Sequence, residues 1–489
     1  MVTGVIMEYQ PVKESVDKHP VPDWYQDAKF GIFIHWSLSC VPAFAATEKG
    51  DIMDILRNEG SKAVFAHQPY SEWYLNSLRI KGSPAYEYHM KTYGADFDYY
   101  DFAKDFNAAL DAWDPAGWAD LFKQVGARYV VLVAKHHDGF LLWPSQHPNP
   151  LKPGLQASRN IVGELTEEVR TRGMRMGFYY SSPYDWTFTT KPITDLAMGL
   201  ARIPMSREYR EYVTSHWYEL IDRYDPSVLW SDIGYPDGVN INEIFAYFYN
   251  QTPDGVVNER WGQASRLLRS LAFIPGIRQA ISWYAKRLWL RGQTSPPGVH
   301  YDFVTPEYTS FSEVSEEKWE CVRGIGKSFG YNKQELPDDF LGVSELVRLL
   351  VDIVSKNGNL LLNVGPKPGG EIPGVQVDRI KGVGAWLSVN GDAIYGTRPW
   401  KRAGGRTEDG AEVRFTSKPG SLFAILLEKP RGTEITIESL KAADGMRVEL
   451  LGQDEPLGWE QTGTGIKVRF GLQLPDSPAV CLKMTPEPV

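Results

Sequence analysis

An aspartate suited to nucleophilic chemistry stands at the end of an apolar run. Asp232 closes Val228–Asp232 (VLWSD) and precedes Gly234, so its carboxylate would project from a strand end. A nucleophile needs such a rigid mounting. His35 has a similar position within Phe30–Trp36 (FGIFIHW). An aspartate at this position could also cap the following helix, and spacing alone leaves both interpretations open.

Two adjacent histidines, His136 and His137, follow another apolar run. Neighbouring residues of an extended strand point to opposite faces, so both rings enter one pocket only where the backbone bends. Imidazole pairs commonly bind zinc, but no HxH, HExxH or CxxC spacing accompanies this pair. A hydrogen-bonded structural pair is a further alternative. We favour hydrogen bonding to the hydroxyl groups of a sugar.

Two loop glutamates are candidates for a general acid. Glu72 lies in Tyr70–Tyr74 (YSEWY), and Glu307 follows Pro306, which holds the preceding backbone out of the α region. A loop carboxylate among aromatic rings can have its pKa raised by desolvation, as a general acid requires. Exposed loop glutamates are common, so the residues alone do not identify the acid.

The elements that must position these residues alternate between apolar runs and helical patterns from about residue 29 to 366. Such alternation predicts a parallel sheet. More than five strand–helix units, with no GxGxxG after a strand, favour an α/β fold of the (β/α)8-like (TIM) barrel type over an open doubly wound sheet. In a barrel, the strand ends gather side chains around one mouth. The predicted strands are Phe30–Trp36, Tyr129–His136, Met176–Ser181, Val228–Asp232, Val256–Trp261 and Asn359–Val364.

After about residue 395 the pattern changes to short alternating strands separated by Gly, Pro and Asp turns. This spacing is typical of a small β-sandwich. We therefore predict a catalytic (β/α) barrel domain over residues 1–390 and a C-terminal β-sandwich domain over residues 391–489. The predicted sandwich strands are Glu412–Phe415, Ser421–Leu427, Glu434–Glu438, Met446–Leu450, Ile466–Phe470 and Val480–Met484.

A basic segment interrupts the barrel pattern. No acidic residue occurs between Arg260 and Tyr301, and basic residues stand there beside Leu, Ile, Phe and Trp. This composition predicts an amphipathic helical insertion at about 263–297. Three interpretations remain open: a solvated basic face packed on the barrel, a contact between subunits, and a lid over the site.

Composition excludes several classes of function. The 489 residues include 52 Lys and Arg against 61 Asp and Glu, and the net charge of −9 gives no reason to expect nucleic-acid binding. Three widely spaced cysteines form no disulfide framework, which favours a reducing compartment. Residues 1–20 lack the apolar core of a secretory signal, and no stretch has the ~20 apolar residues of a spanning helix. We expect a cytoplasmic protein with no membrane partner.

Six stretches of the barrel region together resemble glycoside hydrolase family 29, the retaining α-L-fucosidases. Two later stretches, Asp392–Gly396 (DAIYG) and Thr407–Phe415 (TEDGAEVRF), resemble the C-terminal domain of that family. The six barrel stretches, which follow the order of the family, are Trp24–Trp36, Tyr70–Tyr74, Tyr129–Ser145, Leu229–Gly234, Lys327–Asn332 and Gly358–Pro366.

The resemblance implies a role for each matched residue. Asp232 matches the nucleophile that forms a covalent fucosyl-enzyme intermediate, and Glu307, in TPEY, matches the acid/base. The other matched positions bind or enclose the sugar. They are the hydroxyl-binding His35, His136 and His137, the sugar contacts Glu72 and Trp73, and the pocket wall of Tyr179, Trp230, Arg260 and Phe329.

The sequence departs from the family pattern at three places. Ser37 stands where the family usually has Gly, and Ser231 replaces the commoner Phe or Asn before the nucleophile. The basic insertion separates Arg260 from Glu307. Because the acid/base residue shifts in sequence among family members, other carboxylates compete for that role. The alternatives are Glu259, Glu313 and Glu72.

We therefore expect a retaining exo-acting α-L-fucosidase that hydrolyses terminal α-L-fucosyl residues of oligosaccharides or glycoconjugates by double displacement. L-fucose is neutral, so we expect a fucosylated glycan substrate, no metal and no organic cofactor. We also expect a homo-oligomer. One alternative is a metal-dependent barrel hydrolase with His35, His136 and Asp232 as ligands; the other is a noncatalytic carbohydrate-binding protein.

Overall fold

The computed structural model describes residues 8–290, 299–430, 432–471, 474 and 476–489. Seven parallel strands form one sheet, in the spatial order β5-β4-β3-β2-β1-β7-β6. Nearly every strand residue is buried, as expected for a parallel sheet covered by helices. The strands are β1 (Phe30–Ile34), β2 (Tyr129–Lys135), β3 (Arg175–Tyr180), β4 (Val228–Ser231), β5 (Val256–Val257), β6 (Trp319–Gly324) and β7 (Gly358–Val364).

The segment 302–308 joins the two outer strands of this sheet. It pairs in parallel with β5 through the Asn258–Phe303 bridge and with β6 through the Glu307–Val322 bridge. This eighth segment closes the ring, which confirms the predicted (β/α)8-like barrel. Neither β6 nor this segment was predicted, because their mixed polar and aromatic residues lack the apolar run that marks the other strands.

Helices alternate with the strands and cover the outside of the barrel. The longest, α11, begins where the Ser206 side chain accepts the N–H of Tyr209, and it ends at Asp225 in a left-handed conformation. The helices are α1 (Lys13–Val16), α2 (Asp23–Ala28), α3 (Ile52–Asn58), α4 (Ser61–Ala66), α5 (Tyr74–Leu78), α6 (Pro84–Thr92), α7 (Phe102–Ala109), α8 (Pro115–Gln124), α9 (Ile161–Thr171), α10 (Leu196–Ala201), α11 (Arg207–Tyr224), α12 (Ile241–Gln251), α13 (Arg266–Leu271), α14 (Pro275–Trp289), α15 (Val343–Ser355) and α16 (Gly374–Asn390).

The predicted strand Val256–Trp261 is too long. Only Val256 and Val257 belong to β5, because the backbone turns just beyond it, where the N–H of Trp261 donates to the Glu259 carbonyl at 2.9 Å. The turn takes Glu259 and the following residues out of the sheet and towards the mouth of the barrel.

The basic insertion is helical over its described part. Helices α13 and α14 occupy most of the predicted segment at about 263–297, and residues 291–297 lie outside the described residues. Arg278 of α14 is paired with the buried Asp195, and Arg269 of α13 donates to backbone carbonyls beside α10. The insertion therefore packs on α10, in the long connection that follows β3.

The C-terminal region is an antiparallel sheet in the order β11-β14-β13-β12-β15-β10-β9-β8, which matches the predicted sandwich. One face encloses its own core, and Phe423, Ile425 and Cys481 pack into the barrel core. Two strands were not predicted: β8 contains a proline and two glycines, and β13 is largely exposed. The strands are β8 (Arg398–Arg406), β9 (Glu412–Lys418), β10 (Ser421–Leu426), β11 (Glu434–Glu438), β12 (Arg447–Leu450), β13 (Pro456–Gln461), β14 (Gly465–Arg469) and β15 (Val480–Thr485).

Within the described ranges, none of the helices combines the length and the apolar character needed to cross a bilayer.

Candidate active site

Asp232 lies directly after β4, at the mouth of the barrel. Its side chain is 14% exposed, and the Tyr179 hydroxyl of β3 donates a 2.8 Å hydrogen bond to Oδ2. Ile233, which follows, has a φ of 62°, and a Cβ at Gly234 would lie 2.6 Å from a backbone oxygen. Glycine is therefore required at the second position of this tight turn. The cap position of the next helix is held by Asn240, so Asp232 is not a helix cap.

Arg260 connects Asp232 with Glu307. Its Nη1 donates a 2.8 Å hydrogen bond to Asp232 Oδ1 and also contacts Glu307 Oε1. Thr305 Oγ1 accepts from Nε at 2.7 Å, and the Trp230 ring lies 4.8 Å from the guanidinium carbon. Because one nitrogen contacts both carboxyl groups, their nearest oxygens lie within about two hydrogen-bond lengths, roughly 5.6 Å.

Glu307 projects from the eighth barrel segment with its side chain 14% exposed. Burial raises the pKa of Glu307; the Arg260 guanidinium opposes this shift, and the negative charge of Asp232 reinforces it. A carboxyl group with a raised pKa keeps its proton to higher pH than a free glutamate does. That property is what a general acid needs near neutral pH.

His35 presents a neutral ring to the mouth of the barrel. Its Nδ1 lies 2.6 Å from Asn363 Oδ1, and Asn363 Nδ2 donates to the Phe329 carbonyl. This second bond orients the Asn363 amide, so the proton of His35 lies on Nδ1 and Nε2 is an acceptor. Burial lowers the pKa of His35 to about 4. Asn363 was not singled out in the sequence, where its only signal is a polar residue near the end of an apolar strand.

His136 and His137 both enter the site. The pairing of β2 with β3 shifts register between Val133 and Lys135, so the strand bends before the histidines and both rings turn inward. His137 Nδ1 lies 2.6 Å from Ser181 Oγ, and its Nε2 is 4.0 Å from Asp232 Oδ2. Burial lowers the pKa of both imidazoles well below the usual range, so both rings are neutral. The sequence could not show this bend, because it depends on the neighbouring strand.

Glu72 and Trp73 lie beside the histidines. Glu72 Oε2 accepts the Gly330 N–H at 2.9 Å, and burial raises the pKa of Glu72 to about 8. The Trp73 ring packs edge-on against His137, with 5.0 Å between ring centroids. Neutral imidazoles and a protonated carboxyl group offer both donors and acceptors, which suits the hydroxyl groups of a sugar.

His35, Glu72 and His136 also have the spacing of metal ligands. In the part of the chain that the structure describes, their ligand atoms lie within 4.8 Å of one another. Asp232, the third ligand of the proposed metal-dependent alternative, is bonded instead to Arg260 and Tyr179. The ligand set expected for that alternative is therefore not assembled.

Aromatic rings surround the two carboxyl groups. Tyr179 stacks on Trp230 with 5.3 Å between ring centroids, and Trp230 lies beneath Arg260 as the floor of the site. Phe329 packs against the His35 ring, with 4.9 Å between ring centroids. Every matched site residue therefore lies at one end of the barrel.

Comparison with known proteins places this chain in a family. A family model described as Alpha-L-fucosidase matches residues 4–274 and 282–392, and a model described as Alpha-L-fucosidase C-terminal domain matches residues 408–485. The chain belongs to the α-L-fucosidase family of glycoside hydrolases. Plasma alpha-L-fucosidase of Homo sapiens is 33% identical over 481 residues, which cover 94% of this chain and 88% of that protein.

Solved structures of the family share the fold. Thermotoga maritima alpha-fucosidase in complex with a mechanism-based inhibitor is 40% identical, with a TM-score of 0.82 over 98% of this chain and all of the other. The same enzyme in complex with fucose is 41% identical, with a TM-score of 0.81 and the same coverage.

Two departures from the α-L-fucosidase pattern are accommodated by hydrogen bonds. Ser37, at the position where Gly is usual, donates to Asp138 Oδ2 at 2.6 Å. The Ser231 hydroxyl lies 2.9 Å from that of Ser182, away from the two carboxyl groups. Neither serine contacts Asp232 or Glu307 among the hydrogen bonds of the described chain.

The alternative acid candidates in this α-L-fucosidase family member have different surroundings. Glu259 is buried, and the Thr305 hydroxyl donates to both of its carboxylate oxygens. Glu313 is exposed on a loop. Glu72 lies among the histidines and not beside Arg260. Glu307 alone of these candidates shares an arginine nitrogen with Asp232 in the described structure.

Proposed function

We propose that this protein is a retaining, exo-acting α-L-fucosidase that releases terminal α-L-fucosyl residues from fucosylated oligosaccharides or glycoconjugates. The observation that carries the proposal is the shared contact of Asp232 and Glu307 with Arg260 Nη1. A retaining pair of carboxyl groups lies ~5–5.5 Å apart, whereas an inverting pair is separated by ~6.5–9.5 Å. A spacing of roughly two hydrogen-bond lengths supports retention.

In the first step, an Asp232 oxygen bonds to the anomeric carbon while the bond from that carbon to the glycosidic oxygen breaks. The proton of Glu307 passes to the departing oxygen. In the second step, Glu307 takes a proton from water, and the water oxygen displaces Asp232 from the anomeric carbon. Hydrogen bonds from Tyr179 and Arg260 hold the Asp232 carboxylate for this attack.

The raised pKa of Glu307 suits the first step, because the acid must hold a proton before it transfers it. L-fucose carries no charge, and a methyl group replaces the usual terminal hydroxymethyl. Neutral histidines for its hydroxyl groups and an aromatic face such as Phe329 for its methyl group fit that substrate. We also expect activity to persist in excess chelator, whereas loss that zinc restores would support the metal-dependent alternative.

The experiment is to replace Asp232 with Gly and to supply azide with an activated aryl α-L-fucoside. We expect turnover to collapse and azide to restore part of it, with β-fucosyl azide as the product. The wild-type enzyme with the same azide is the control and should release fucose. Unchanged turnover in the variant, or rescue without the β-azide, would remove Asp232 as the nucleophile. A wild-type protein with no turnover would support a binding protein instead.

We further propose a cytoplasmic location and self-association. Cys40, Cys321 and Cys481 are all free and buried, which suits a reducing compartment. The exposed apolar side chains of the basic insertion support self-association.

A further inference from the structure

Exposed apolar side chains are concentrated on the insertion. In the described ranges, fourteen large hydrophobic residues are exposed, and eight of them fall within residues 267–290. Single exposed apolar residues are ordinary, but a contiguous group marks an interaction site. We call these residues the insertion face: Leu267, Leu268, Phe273, Ile274, Ile277, Trp283, Tyr284 and Leu290.

The insertion face cannot turn inward, because polar anchors hold the opposite side of α14. Arg278 is paired with Asp195, and Ser282 donates to the same carboxylate at 3.2 Å. Ile281 and Trp289, also on the inner side, pack against the barrel core. Trp283 is 62% exposed and follows Ile281 by two residues, which places it on the other side of the helix. The outward apolar face is therefore fixed by the fold.

The insertion face has no part in the proposed reaction. None of its eight residues is among the site residues described above. The family match stops at residue 274 and resumes at 282, so of the eight residues it omits Ile277 alone. The insertion face therefore calls for a separate role.

Charge indicates the kind of partner. Residues 261–301 contain six basic and no acidic residues, which leaves −15 on the rest of a chain whose net charge is −9. Arg266, Lys286 and Arg287 form no ion pair with any described residue. Two such faces would repel each other, and an anionic bilayer would repel the acidic remainder of the chain. An acidic surface of another copy is complementary to the basic groups of this segment.

The stretch 96–114 offers such a surface. It contains six exposed aspartates and a single basic residue, Lys104, above a layer of mostly buried aromatic side chains. Asp105 and Asp111 on this stretch form no ion pair within the described structure, so their charges are available to a neighbour. We propose that the insertion face of one copy docks on the acidic stretch 96–114 of a second copy. Reciprocal contacts of this kind close a symmetric assembly.

The test compares molar mass in solution by light scattering after size-exclusion chromatography. We expect the wild-type protein to be an oligomer and Trp283→Glu to be a monomer at the same concentration. Val389→Glu, which places the same charge on an apolar residue 51% exposed on α16, is the matched control and should remain oligomeric. Fucosidase activity of Trp283→Glu should match the wild type, which shows that the variant is folded.

A charge swap tests the partner surface. Arg266→Glu with Arg287→Glu should dissociate the assembly, and adding Asp105→Lys and Asp111→Lys to the same chain should restore it. A monomeric wild type, an oligomeric Trp283→Glu, or failure of the swap would overturn the proposal. Co-sedimentation of monomeric protein with anionic phosphatidylglycerol vesicles would assign the face to lipid instead. The mass readout needs no substrate, so it is independent of the proposed fucosidase function.

Discussion

Two buried glutamates on neighbouring strands of the barrel have different surroundings. Glu307, at the mouth, is 14% exposed and contacts the charged Arg260. Glu320 of β6, inside the barrel, is fully buried and accepts hydrogen bonds from Tyr25, Tyr129 and Trp230 at 2.9, 2.5 and 3.1 Å.

Burial raises the pKa of both glutamates, to about 7 in the case of Glu320. A raised pKa therefore does not by itself identify a catalytic acid. The two glutamates differ in whether a substrate can reach them. Three neutral donors enclose Glu320, whereas Glu307 opens to the mouth and can exchange its arginine contact for a substrate oxygen.

The largest effect is expected for Glu307→Gln. Loss of the proposed general acid should lower kcat/KM by ~10²–10⁴-fold on substrates with poor leaving groups. The decrease in kcat/KM should be much smaller on an activated aryl fucoside, whose leaving group needs no proton, whereas kcat on that substrate should still fall because the second step loses its base. The alkaline limb of the wild-type pH profile, where Glu307 loses its proton, should also disappear. Steady-state kinetics with both substrates checks this expectation.

Glu313→Gln is the matched control for Glu307→Gln, because Glu313 is an exposed glutamate that the sequence left as an alternative acid. Its kinetics should equal those of the wild type on both substrates. If Glu259→Gln, and not Glu307→Gln, showed the leaving-group dependence, the acid would be Glu259.

Glu320→Gln should change stability and not catalysis. The folded state holds the Glu320 proton up to about pH 7, whereas an unfolded glutamate releases it near pH 4.5. The wild type therefore loses stability as pH rises through this range, and the variant, which cannot ionise, avoids that loss. The free energy of unfolding of the variant relative to the wild type should rise by up to about 3 kcal/mol between pH 4.5 and 7. Denaturant titrations across pH would contradict this if the difference were constant.

The contrast between mouth and interior also shows what sequence could predict. Asp232 could be singled out because an aspartate closes a strongly apolar strand, and barrel topology places all such strand ends together. Glu320 was not found, because β6 reads WECVRG and carries no apolar run. Its burial comes from the tyrosines of other elements, which a local pattern does not contain.

Contacts between neighbouring strands could not be predicted from the sequence either. The register shift that turns His136 and His137 into one site depends on pairing with β3. The segment carrying Glu307 reads as a loop, because Pro306 is a poor strand former, and it becomes part of the barrel only through bridges to β5 and β6. The family resemblance supplied the role of Glu307, and local periodicity did not.

Two asparagines of β7 allow the same comparison between the mouth and the interior of the barrel, with smaller expected effects. Asn363, at the mouth, fixes the proton of His35, so Asn363→Ala should lower kcat/KM by about 3- to 10-fold, the worth of one hydrogen bond. Asn359, at the other end of the strand, donates to the Tyr25 carbonyl at 2.9 Å. Asn359→Ala should lower the free energy of unfolding and leave kcat/KM unchanged. If Asn363→Ala and Asn359→Ala lowered kcat/KM equally, the effect would come from the strand as a whole and not from the His35 contact.

The smallest effect is expected where Ser37 replaces the usual family glycine. Its hydroxyl donates to the buried Asp138, which also accepts from Tyr99 at 2.9 Å, so the carboxylate keeps a partner when the serine is lost. Ser37→Ala should therefore lower the free energy of unfolding by only about 1 kcal/mol. Ser37→Gly should lower the free energy of unfolding slightly more. The φ of −156° at this position is open to any residue, so glycine relieves no strain there, and it makes the unfolded chain more flexible. Both variants should keep the wild-type kcat/KM, since the hydroxyl faces Asp138 and not Asp232. A lower kcat/KM in either variant would show that the packing behind the histidines controls the orientation of their rings.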